Sequence, residues 1–108
     1  MTLDIALSVA KFSLWQIRPR LSRIVESGDA DFYRLFLDDL RNNLRETCEH
    51  FEAHQGADAH EEIYLCHFDA LSALTYALSK PKIDRPSLRA ALDTLNDLAE
   101  LLEPAKVH

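Results

Sequence analysis

The chain is poor in the residues that make turns, with two glycines and four prolines among 108 residues. Tight hairpins and phosphate-cradling loops have almost nothing to be built from, and neither the Walker nor the dinucleotide-binding glycine pattern occurs. The two cysteines, Cys48 and Cys66, are too few for a disulfide scaffold and have no C-x-x-C spacing, which points to a reducing compartment. No uncharged stretch approaches the roughly 18 apolar residues that span a bilayer. The first residues, Met1-Thr2-Leu3-Asp4, put an acid where a signal peptide carries basic residues. A cytoplasmic location without membrane attachment is the expectation. Basic side chains are also in the minority, 12 Lys and Arg against 18 Asp and Glu for a net charge of −6, which argues against nucleic acid as a partner.

What is present is the material of a globular core. Hydrophobic residues make up 47% of the chain and charged residues 28%. At this length one domain spanning 1–108 can bury roughly 60–70% of the unfolded chain's surface, so a cooperative fold needs neither disulfides nor a metal.

Four segments carry helical periodicity and none shows the alternation of a strand, so the predicted fold is an all-α, antiparallel four-helix bundle. The first helix is predicted over about 2–27, from Thr2 as cap to Gly28 as stop, with Leu3, Ala6, Leu7, Ala10, Leu14, Ile17, Leu21, Ile24 and Val25 as its apolar stripe. Pro19 lies inside it and predicts a kink or break near Ile17–Pro19. The second, about 30–54, has Tyr33, Phe36, Leu37, Leu40, Leu44, Cys48 and Phe51 as its stripe and Gly56 as its closing cap. The third, about 59–79, is capped by Asp58, ends before Pro81, and is lined by Ile63, His67, Ala70, Leu74, Ala77 and Leu78, with Cys66 at the edge. The fourth, about 86–103, begins at Pro86 and is lined by Leu88, Ala91, Leu92, Leu95, Leu98, Ala99 and Leu102.

Those stripes leave large apolar side chains over. At 100° per residue, Ile5, Val9 and Phe12, with Trp15 beside them, lie opposite the main stripe of the first helix. On the third, Leu65, Phe68 and Tyr76 do the same, with the small Ser72 between them. The surplus has two possible destinations. Either the third helix lies centrally and covers its extra face with the first, or these seven residues form a homodimer or partner interface, where aromatic and aliphatic anchors dominate binding.

Charge offers a second lead. Residues 1–26 carry four basic and two acidic side chains, +2, while the remainder carry eight and sixteen, −8. Arg18, Arg20 and Arg23 are candidate ionic contacts for an acidic partner segment. Residues 46–69 hold His50, His54, His60 and His67, both cysteines and seven acids with no Lys or Arg. His50 and His54 stand one helical turn apart, a spacing that lets two imidazoles share a metal, so His50, His54, His60, Cys48 and Cys66 are the candidates for a metal- or redox-responsive module. No H-E-x-x-H or paired-cysteine signature accompanies them, and Cys48 is in phase with the hydrophobic stripe. Arg45 and His50 have the Arg-x4-His spacing of HEPN-type ribonucleases, which are also small and all-α. That two-residue resemblance implies a small ribonuclease with Arg45 and His50 at its centre.

The sequence as a whole reads as a non-enzymatic interaction protein without cofactor, dimeric, that occludes a surface of another protein. Small antiactivators, immunity proteins and antitoxins have this size and general character.

Overall fold

The structure is a computed structural model described over residues 3–54 and 57–102, with side chains over 7–53 and 61–102. Its elements are helix α1, Leu3–Ser27, a 3₁₀ turn, Ala30–Tyr33, and helices α2, Arg34–His54, α3, Ala57–Leu78, and α4, Arg85–Leu102. There is no strand among the described residues. The all-α bundle predicted from periodicity is what the chain forms.

The helix stripes meet in one core. Leu14, Leu21, Ile24 and Val25 of α1 join Leu37, Leu40 and Leu44 of α2, Ala70, Leu74, Ala77 and Leu78 of α3, and Leu88, Ala91, Leu92, Leu95 and Leu98 of α4. Contacts run in a circuit. The α3/α4 seam is the most extensive, α2/α3 the next, α1/α4 weaker, and α1/α2 the thinnest. Helix α1 does not cover the extra face of α3, whose Leu65, Phe68 and Tyr76 remain exposed.

The boundaries differ from the periodicity in three places. Helix α1 continues unbroken through Pro19, so no break divides it. The second helix begins at Arg34 because Asp29 makes no side-chain cap and the chain closes a 3₁₀ turn first, with the Phe32 N–H donating to the Asp29 carbonyl at 3.0 Å. Helix α3 begins at Ala57, which puts Asp58 inside its first turn and not at its cap. The caps proposed at Thr2 and Gly56 lie outside the described residues. Gly28, at φ +78°, sits in the left-handed region that ends α1 without the steric penalty of a Cβ. Asp84 caps α4, accepting from the Ser87 N–H at 3.2 Å.

Arg34 pins the 3₁₀ turn to the far side of the bundle. Its guanidinium donates to the carbonyls of Leu78, Lys80 and Pro81 at 3.1–3.3 Å and pairs with Asp31, whose Oδ1 also accepts from the Ile83 N–H at 3.0 Å. That planar fork of donors answers the carbonyls left over where α3 ends.

Candidate functional site

Two apolar faces stay at the surface. On α1, Val9 and Phe12 are more than half exposed and Trp15 is 72% exposed, with the Phe12 and Trp15 ring centroids 6.4 Å apart. On α3, Leu65, Phe68 and Tyr76 are each about half exposed. The Tyr64 ring lies between Phe68, at 6.2 Å, and Phe51 on α2, at 6.1 Å. The side chain of Ile5 lies outside the described residues. Two further exposed residues did not stand out in the periodicity: Phe32 in the 3₁₀ turn, 83% exposed, and Leu35 in the first turn of α2, 82%. Leu35 stands well off the Leu37/Leu40/Leu44 stripe, so the same wheel that marked Val9 and Phe12 would have marked it.

The three arginines of α1 do not make one patch. The Arg18 Nε donates to Asn96 Oδ1 on α4 at 2.9 Å. Arg20 turns to the other flank, its guanidinium carbon 5.3 Å from the centroid of the Phe36 ring on α2. Exposed Arg23 lines a groove with Arg20, Tyr33 and Phe36.

The histidine and cysteine segment is divided between α2 and α3, and its described side chains turn in different directions. Cys48 is buried between α2 and α3, and desolvation, with the Glu52 and Glu49 carboxylates adding to it, pushes its thiol up to about 11. Cys66 turns to α4, its thiol donating to the Thr94 carbonyl at 3.4 Å, and burial raises its pKa as well. The two are free thiols, not a disulfide. Both are held as thiols at neutral pH, the unreactive form for metal ligation and for redox exchange. The side chains of His54 and His60 lie outside the described residues, and among the described residues no group of three or more His, Cys, Asp and Glu converges on a metal position. Arg45 is exposed and donates to Asn42 Oδ1 at 3.0 Å, away from the cleft that His50 lines.

That cleft lies in the thin seam between α1 and α2. It has a volume of about 230 Å³. Val9, Ala10, Leu14 and Ile17 form one wall, Leu40 and Leu44 the other, and Ser13, Asn43, Glu46, Thr47, His50 and His67 add polar atoms. His67, from α3, is 98% buried, since only 2% of its surface remains accessible. Its Nδ1 donates to the Ile63 carbonyl one turn back at 2.9 Å, and its ring packs 5.6 Å from Phe51. A carbonyl only accepts, so Nδ1 carries the proton and Nε2 keeps its lone pair. Burial lowers the pKa of this imidazole and keeps it neutral.

Comparison of the chain with protein-family models, with curated proteins and with solved structures finds no match. No helix among the described residues is long and apolar enough to cross a membrane.

Proposed function

We propose that this protein is a small, non-catalytic regulatory module that acts as a homodimer and covers a surface of another protein. The observation that carries the reading is the exposure of Val9, Phe12 and Trp15 on α1 and of Leu65, Phe68 and Tyr76 on α3. Contiguous apolar patches of this kind mark interaction sites, and aromatic anchors supply most of an interface's binding energy.

The α3 face suits a second copy of the chain. Apart from Asp69 near its middle, its exposed charges run from acidic, Glu61 and Glu62, to basic, Lys80 and Lys82, just beyond its end, and Lys80 lies 4.7 Å over the Tyr76 ring. Ser72 stands midway between Phe68 and Tyr76. A twofold axis through Ser72 pairs two such helices head to tail. Phe68 of one copy then meets Tyr76 of the other, and each acidic end meets a basic one. The α1 face, flanked by Arg20 and Arg23, is left for a target with an acidic margin.

Sedimentation of the full chain at about 100 μM, a concentration that populates even a modest interface, tests the dimer. The expected result is a dimer that Phe68→Asp converts to a monomer of unchanged helical content. Reversing Glu61 and Glu62 to Lys should weaken it roughly tenfold or more, and adding Lys80→Glu and Lys82→Glu should restore it. A monomeric wild type, or a dimer indifferent to these changes, removes the reading.

A further inference from the structure

We propose that the α1/α2 cleft is a binding site for a small, uncharged aromatic molecule that carries a hydroxyl group, a phenol in chemical class, with the hydroxyl donating to Nε2 of His67. The inference is independent of dimer formation.

Four observations lead to it. The first is size. A cavity of about 150 Å³ accepts benzene, so about 230 Å³ holds a benzene ring with a short substituent. The second is lining. Val9, Ala10, Leu14, Ile17, Leu40 and Leu44 give apolar walls on both sides, the usual make-up of a small-molecule site that orients its ligand through a few polar groups.

The third is the polar atom within it. His67 is almost wholly buried, lines the cleft from a third helix, and has Nδ1 committed to its own backbone. Among the described residues Nε2 has no hydrogen-bond partner. Nε2 is not one of the buried unpaired side-chain atoms, so it is open to the cleft, where a ligand hydroxyl can take the place of water as its donor. The fourth is charge. No Lys or Arg lines the cleft and Glu46 stands at it, so a carboxylate or phosphate has no counter-charge there. An ammonium group would lose its hydration against walls that are mostly apolar. The Thr47 hydroxyl at the cleft already donates to the Asn43 carbonyl at 3.0 Å.

Calorimetric titration of the full chain with 4-ethylphenol, set against ethylbenzene, tests the proposal. The expected result is saturable 1:1 binding of the phenol, roughly tenfold tighter than its hydrocarbon analogue. His67→Phe, which keeps a ring and removes the acceptor, should erase that advantage. Ala10→Leu, which fills the cleft from α1 and leaves His67 in place, should abolish binding of both. If His67→Phe does not fold, the ¹⁵N resonance of Nε2 in the wild-type protein provides the same test, because it should shift with 4-ethylphenol and stay unmoved with ethylbenzene. No saturable binding of the phenol, equal affinity for the two compounds, or an unmoved Nε2 resonance would overturn the assignment.

Discussion

His67 is a hydrophilic side chain in a hydrophobic position, and its burial couples the fold to acidity. Its pKa in the folded chain lies below the ordinary 6.5 because burial disfavours the imidazolium. Above about pH 6.5 the ring is neutral whether the chain is folded or not, and no penalty arises. As pH falls through that value the unfolded chain takes up a proton that the folded chain refuses, so stability drops with pH. The urea midpoint should therefore fall between pH 7.5 and pH 5.5, and His67→Phe should flatten that fall. An equally steep loss in the variant would place the titrating group elsewhere. The sequence put His67 in the third helix's stripe, and that much was readable because 3.6-residue periodicity does not depend on side-chain chemistry. The metal and redox candidates were the converse case. Cys48 and Cys66 lie close in the sequence, but helical rotation sends one to the α2/α3 seam and the other to the Thr94 carbonyl on α4. Proximity along a chain says little about convergence when the chain is helical.

At the scale of the element, Pro19 is the residue most at odds with its surroundings. It lies within a 25-residue helix that continues through it, and it faces solvent. It offers no N–H to the carbonyl of Trp15 and its ring crowds that turn. An interior proline costs about 3 kcal/mol against alanine, offset by up to about 1 kcal/mol of ordering in the unfolded chain. Pro19→Ala should thus stabilise the protein by roughly 2 kcal/mol in chemical denaturation, and a destabilised variant would mean that the proline's geometry serves the packing of α1. Helix existence and most of each core face were legible, since Leu21, Leu37, Leu74, Leu88, Leu95 and Leu98 are all almost completely buried where their spacing placed them, while Tyr33, placed in the second stripe, falls in the 3₁₀ turn and is exposed. What was not legible was the start of α2. Acids such as Asp29 and Asp31 suit the first turn of a helix, yet Asp31 commits its carboxylate to Arg34 and to the Ile83 N–H, a tertiary contact that no local pattern encodes.

At the scale of the whole molecule, the arrangement separates what holds the fold together from what faces outward. The α3/α4 and α2/α3 seams carry most of the packing, whereas the apolar faces of α1 and α3 look away from it. A charge placed at Phe68 should therefore change assembly and leave helical content intact, whereas one placed in the core should unfold the chain. The cleft occupies the seam with least packing to lose.

That thin seam also governs how the molecule breathes. Helix α1 is the longest element and the one least tied to the rest, and it is joined to the 3₁₀ turn through Gly28, a residue at home in unusual backbone conformations. Partial opening should begin where few buried contacts must be broken, so native-state amide hydrogen exchange should release the protons of α1 ahead of those of α3 and α4. Uniform protection across all four helices would count against that order. A molecule bound against Val9, Ala10 and Leu14 would then slow the exchange of α1 in particular, so that occupancy of the cleft is read out in the opening of one helix.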